Sequence, residues 1–580
     1  HKTILWDVQT GKIIYTRLQL ENNDWLVYDE DYRFDGSPGA IEKLYFTCGL
    51  EIIELGQMKD ALYVPGLAEK LMNGEDVNYK KLSEIDICGA LPLIEKLKED
   101  SSGWQFSIQQ RRWPIVRIEI KVDGKIVKTL PFDQFIFIQN MATLDLKRAE
   151  LEKYFVNGKE NKISISAITK ENGVEIISRG IDVFVLSEES TDPPQMYMLM
   201  IGVNDYKDDA LDLRFPVQDA RALSNAIEMS ASKLLDPENI HVYHVESKME
   251  NNLVYTTPER AGVMKALAEI GSKAKANDLL FIFFAGHGVM QGQVDKTFTF
   301  LTADASQINQ IGISTNDLKS WLSPEGPFKM LPNKTILVYD ACNSGQAAKE
   351  LVAALTRDDD ATERQRQIEE LGDKSGLFIL SASAPNKPAY ELPQFGQGIL
   401  TYSLLYTLKN NPSILDQEVD GNGYLNLQKW FLATEQEQSR RMEALGLKQD
   451  AQPYGAGNIR LGLVDNELRQ SIKLTDEKPL VFCANARDEN DEDPLELKKA
   501  INDYFEHALS RGSDSPVAFV SAETPQANVI KLIYSIKKEK VECRILVFKN
   551  KIKIQETTLS ASIETIPSKI AEAVSNLIVH

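Results

Sequence analysis

Leu279-Leu280-Phe281-Ile282-Phe283-Phe284-Ala285-Gly286-His287-Gly288 is an apolar run that ends in a histidine set between two glycines. Thr335-Ile336-Leu337-Val338-Tyr339-Asp340-Ala341-Cys342-Asn343-Ser344-Gly345 is a second, ending in a cysteine before a turn of small residues. Continuous apolar runs of this kind read as strands of a parallel sheet buried on both faces. The C-terminal edge of such a sheet is where open α/β folds place ligands and chemistry. A thiol and an imidazole delivered there together make a cysteine hydrolase. The imidazole stabilises the thiolate and can protonate a leaving amine. Gly286 and Gly288 leave room for a substrate backbone and for an amide turned towards an oxyanion.

Outward from these runs the chain alternates strand and helix from Gln195. Met196–Val203 is the first strand, Val217–Leu235 a helix with Asp219 in its first turn, and Ile240–Val245 the second strand. Thr257-Pro258 reads as the cap and first-turn proline of a helix reaching Lys275. A fifth strand lies at 376–383, and a helix at 398–409 follows it. The pattern predicts an α/β unit over 195–463 with a mainly parallel sheet flanked by helices.

The rest of the chain divides at composition shifts. Residues 1–60 read as short strands with Trp6-Asp7 before a turn, resembling a blade of a WD-repeat propeller. One blade cannot bury its faces alone, so it either continues upstream or packs on its neighbours; a plain β-meander is the alternative. Residues 61–104 read as a mostly helical connector. Residues 105–190 alternate with period two and carry a hairpin turn at Asp123-Gly124, which resembles an immunoglobulin-like sandwich. The Pro-rich stretch Ser187–Pro194 is a linker, and 467–580 a small α/β unit resembling the N-terminal domain of TolB-type proteins. In that unit three strands are expected after a helix at 495–510, then a last helix at 566–578.

The 580 residues allow about four domains. A net charge of −20 argues against nucleic acid as a partner. No apolar run approaches a membrane span. The five cysteines, Cys48, Cys88, Cys342, Cys483 and Cys543, are scattered and form no CxxC pair, which predicts no disulfide framework, no zinc ribbon and a cytoplasmic location. A phosphatase reading wants arginine six positions after the cysteine, where Ala348 stands. The six histidines make no ligand-spaced pair at this site, so no metal or other cofactor is expected. Glu418–Leu425 carries part of a calcium-loop pattern, but Lys429 stands where its last glutamate belongs; a turn before a helix is the better reading.

The Ala285-Gly286-His287-Gly288 and Asp340-Ala341-Cys342-Asn343-Ser344-Gly345 strand ends, in this order, resemble the caspase-like cysteine peptidases. The resemblance covers about 195–463 and is to the bacterial metacaspase and orthocaspase branch; the Gln-Ala-Cys-Arg-Gly of animal caspases is absent. It implies Cys342 as nucleophile, His287 as its partner, an oxyanion hole from the amides of Gly288 and Cys342, and no acidic third member. It leaves calcium activation open.

Asp340 lies two residues before Cys342, so both side chains leave the strand on one face. A carboxylate there would bind a cationic side chain and reject an anionic one. The resemblance makes Asp340 and Asp219 an acidic S1 pocket and implies cleavage after Arg or Lys. The blander roles are a strand-end hydrogen-bonder for Asp340 and a helix-dipole residue for Asp219. Glu391 is a candidate subsite charge. Arg357, Arg364, Arg366 and Lys374, between the cysteine and the fifth strand, are candidate self-cleavage points, or else parts of a solvated helix. The expected partners are protein or peptide substrates with a basic P1, plus a regulatory partner of the N-terminal β domains. A rival of another class is a caspase-like scaffold that binds without cleaving; a second keeps the enzyme but makes a nucleotide or calcium its trigger.

Overall fold

The computed structural model describes residues 1–21, 24–48, 51–75, 77, 80–85, 87–171, 173–189, 192–247, 257–291, 297–306, 308–341, 377–382, 391–392, 396–444, 452–454, 459–474, 477–510, 516–520, 526–537 and 539–579. The buried runs form a six-stranded sheet among these residues. Its strands are β1 (Met196–Gly202), β2 (Ile240–Glu246), β3 (Leu279–Gly286), β4 (Lys334–Ala341), β5 (Leu377–Ser381) and β6 (Gln452–Tyr454). Their spatial order is β2-β1-β3-β4-β5-β6, all parallel except the antiparallel β6.

The central strands β1 and β3 are apolar throughout because both faces are covered, whereas the edge strand β2 is only half-buried and carries His241, His244 and Glu246. On one face α1 (Pro216–Ala231) packs over Met198, Met200, Phe281, Phe283 and Val338. On the other, α2 (Arg260–Lys273) packs over Leu199, Ile201, Ile282 and Phe284. A further helix, α3 (Ile399–Asn410), joins the first layer through Leu400, Leu404 and Leu408. Phe281, Phe283 and Phe284 are fully buried, which stabilises the fold by about 1.5–3 kcal/mol each. The helix expected to open at Thr257-Pro258 starts later, at Arg260, with Glu259 as its N-cap and no side-chain cap. The chain turns from β2 back past β1 to β3, so the switch point of the sheet lies between the ends of β1 and β3.

The region before residue 190 departs from expectation in its secondary structure at one place. Leu93–Asp100, read as part of a helical connector, is a strand. Its exposed charged residues favour helix, but pairing with Gly103–Gln109 decides the conformation. It belongs to a three-stranded antiparallel sheet that faces a five-stranded one over a shared core of Trp104, Phe106, Ile118, Ile120, Ile163 and Ile165. Asp123 and Gly124 make the expected hairpin turn, both with positive φ. Lys2–Trp6, Ile13–Gln19, Trp25–Tyr28 and Phe34–Gly36 form a four-stranded antiparallel meander. Its core continues through short helices into Trp113, Val174 and Ile176 of the sandwich, so this segment buries its face against its neighbours.

Cys48 and Cys88 are disulfide-bonded, with Cα atoms 5.5 Å apart. This corrects the expectation drawn from cysteine spacing, since residues 40 apart in sequence are brought together by the fold. It also removes cysteine usage as an argument for a reducing compartment. Among the described residues no helix is long and apolar enough to cross a membrane. The calcium-like stretch is a hairpin turn, Asp420-Gly421, between Leu415–Val419 and Asn422–Asn426. The C-terminal unit has a strand more than expected: Ile552–Ser562 is an exposed edge strand without a clean apolar face.

The sandwich and the α/β unit interlock at the loop leading into β4. Leu331 packs against the sandwich core, and the Asn333 amide donates to the Tyr154 carbonyl at 2.7 Å. Lys125, only 2 % exposed, donates to the carbonyls of Met330 and Pro332, both at 2.8 Å. Burial pushes its amine down to about 7. The folded state therefore disfavours the ammonium form. Stability from this group is lowest below pH 7 and is gained as pH rises from there towards the ordinary lysine value of 10.5. Urea unfolding at pH 7 to 10 is expected to show Lys125→Met losing that part of the climb; a slope equal to wild type would contradict it.

Candidate active site

The ladder between β3 and β4 pairs Ala285 with Asp340 and Gly286 with Ala341, and β1 adds Gly202 to the first of these rows. His287 follows β3 directly. Cys342 follows β4 directly in sequence and lies outside the described residues. The four described cysteines offer no ready nucleophile. Cys48 and Cys88 are oxidised to each other, and burial pushes the thiols of Cys483 and Cys543 up to about 12.

His287 is buried, and the loop after β1 fixes it. Its Nε2–H donates to the carbonyl of Leu211 at 2.8 Å. A carbonyl only accepts, so the neutral ring carries its basic lone pair on Nδ1. The backbone N–H of His287 donates to the Tyr206 hydroxyl at 2.9 Å, and the two rings lie 5.2 Å apart. The loop is itself tied down. The Ser247 hydroxyl accepts from the amides of Asn204 and Asp205, and the Asn204 side chain accepts from Val217 N–H, capping α1 where Phe215 cannot. Leu211 and Tyr206 were not legible as site residues, because one acts through a carbonyl and the other through a contact across the switch point. Gly286 has φ +156, and a Cβ there would lie 2.8 Å from the Tyr206 hydroxyl and 3.1 Å from Phe300. Gly288 opens a short strand, Gly288–Gln291, opposite Phe300.

Asp340 and Asp219 are 1 % and 2 % exposed. They come from β4 and α1 and converge on the N-terminus of α3. Gly398 N–H donates to Asp219 Oδ2 at 2.9 Å. Thr401 donates to Asp340 Oδ2 twice, from its amide at 3.0 Å and its hydroxyl at 2.5 Å. A Cβ on Gly398 would lie 2.5 Å from Asp340 Oδ2 and 2.9 Å from Asp219 Oδ2, so both carboxylates press on one point. Asp340 accepts hydrogen bonds at the strand end from α3, and Asp219 stands in the first turn of α1. Glu391 opens the short strand Glu391–Leu392, whose backbone pairs with Gly398. Arg357, Arg364, Arg366 and Lys374 lie outside the described residues. A cleft of about 610 Å³ between the sandwich and the α/β unit, lined by Glu152, Asp192, Tyr197 and Asp278, contains none of these side chains.

Residues 196–424 match the family model of the caspase domain. This stretch is therefore similar to a family of cysteine peptidases, and the match supports a caspase-like peptidase. It spans Asp219, His287, Asp340, Cys342 and Glu391. None of the curated proteins matches the chain. Among solved structures, a protein from Geobacter sulfurreducens is 15% identical over 46% of this chain and 95% of its own, with a TM-score of 0.29. A Bacillus subtilis protein is 9% identical over 43% of this chain and 64% of its own, with a TM-score of 0.14. Likeness at these TM-scores carries no argument about the site.

Gly286→Ala is expected to lower stability by about 1–3 kcal/mol, because the methyl enters filled space and the backbone sits where side chains are strained. Thermal unfolding beside wild type checks this; an unchanged midpoint would remove Tyr206 as a neighbour that constrains the histidine.

Proposed function

We propose that this protein is a cysteine endopeptidase that cleaves after arginine or lysine. The observation that carries the reading is the caspase-domain match over a sheet whose register brings the ends of β3 and β4 side by side, one leading into His287 and the other into Cys342. The Cys342 thiol gives its proton to His287 Nδ1, and the thiolate attacks the scissile carbonyl. The tetrahedral oxyanion is held by the amides of Gly288 and Cys342. The imidazolium returns the proton to the leaving amine, and water then hydrolyses the thioester. The Leu211 carbonyl holds the ring in the tautomer this sequence of transfers requires.

Basic specificity is supported by the convergence of Asp219, from α1, and Asp340, from the strand that leads into Cys342, at the start of α3; Glu391 is the candidate for a further subsite charge. The physiological partners are peptide segments with a basic P1. The N-terminal β units recruit substrate or gate activity, and Arg357, Arg364, Arg366 and Lys374 are the points of self-cleavage.

Fluorogenic peptides test the reading. An Arg peptide is expected to be cleaved, with and without calcium compared, and a Glu peptide to be left intact. Cys342→Ala and His287→Ala should each lose on the order of 10³-fold or more in kcat/KM. Hydrolysis undiminished in Cys342→Ala would sink the assignment and favour the non-catalytic scaffold. Asp340→Ala should lose far more Arg-peptide turnover than Asp133→Ala at an exposed position; equal effects would refute the acidic pocket.

A further inference from the structure

We propose that the first turn of α3, through Gly398 and Thr401, is the element that sets selectivity for a basic residue. It does so by holding Asp219 and Asp340 together in their ionised forms. This rests on the basic-P1 reading and adds to it two positioning residues outside the acidic pair. The physical problem is plain. Two carboxylates that are 1 % and 2 % exposed and press on one point repel each other, and such a pair ordinarily takes up a proton. A pair sharing a proton would hold a guanidinium or ammonium more weakly.

The structure answers the repulsion with three donors from one helix end. Gly398 N–H serves Asp219, and the amide and hydroxyl of Thr401 serve Asp340, each at 2.5–3.0 Å. Charge-assisted bonds to an ionised acceptor favour the ionised form. The N-terminal end of the 12-residue α3 adds its positive partial charge. Glycine at 398 is a steric requirement, since a side chain would begin within 2.9 Å of both Oδ2 atoms and drive the pair apart. The helix thus fixes the Oδ2 edge of each carboxylate and the direction in which the pair presents its charge. The helix that carries these donors is anchored by Leu400, Leu404 and Leu408 in the core.

The test uses the full chain and three peptides that differ only at P1: arginine, lysine and an uncharged isostere. Thr401→Val keeps the shape and removes only the hydroxyl donor. It is expected to raise KM for the Arg and Lys peptides about tenfold, with kcat little changed, and to shrink their preference over the uncharged peptide by the same factor. Thr401→Ser, which restores the donor, is expected to recover both. Gly398→Ala should lose Arg and Lys cleavage more than tenfold, while iodoacetamide alkylates Cys342 at the wild-type rate. If wild type cleaves Arg peptides and Thr401→Val keeps both its KM and its preference, the role of α3 is overturned while the peptidase reading stands. A fall in kcat alone, unrescued by Thr401→Ser, would overturn it as well. If wild type cleaves neither basic peptide, the basic-P1 reading falls and takes this inference with it.

Discussion

The parallel ladder through β1, β3 and β4 is the constraint on which the candidate site depends. It sets Gly202, Ala285 and Asp340 in one row at the edge of the sheet. Two apolar layers hold that register, one under α1 and α3 and one under α2. A slip of one residue in β4 would turn Asp340 to the opposite face and break both layers at once. Accuracy at the edge is therefore a by-product of burial in the middle of the strands.

One loop then serves two ends. The segment after β1 presents the Leu211 carbonyl and the Tyr206 hydroxyl to His287, and a few residues later becomes α1, which carries Asp219. Its anchors, Ser247 and Asn204, lie at the ends of β2 and β1. The imidazole and one member of the acidic pair are consequently referenced to the same piece of backbone. The other member is referenced to β4 and α3. A buried carboxyl group costs free energy unless it is hydrogen-bonded, and here the donors come from the same helix that covers the apolar face.

The units read as separate in sequence are mechanically joined. Leu331 enters the sandwich core, while Lys125 and Asn333 exchange hydrogen bonds with carbonyls across the boundary. These contacts fall on the loop that runs into β4, so the sandwich holds the approach to the strand that precedes Cys342. The Cys48–Cys88 bridge ties the N-terminal segment to the turn before the sandwich. Neither feature leaves a mark in spacing or periodicity, because each joins residues far apart in the chain.

What the sequence determined by itself follows from burial and from local turn chemistry. The apolar runs ending at His287 and Cys342, the period-two stretches of the sandwich and the Asp123-Gly124 turn were all legible, since a strand buried on both faces has few residue types open to it. Elements whose residues face water were misread. Leu93–Asp100 looked helical and Ile552–Ser562 went unseen, because an exposed edge strand has no apolar pattern to show. Only the tertiary structure decided that Asp219 and Asp340 meet at Gly398, that Leu211 and Tyr206 hold the histidine, and that Cys48 finds Cys88. Such contacts depend on where a carbonyl, a missing side chain or a distant thiol comes to rest in space. That position is settled by packing across the whole sheet, whereas propensity and periodicity act over a few neighbouring residues.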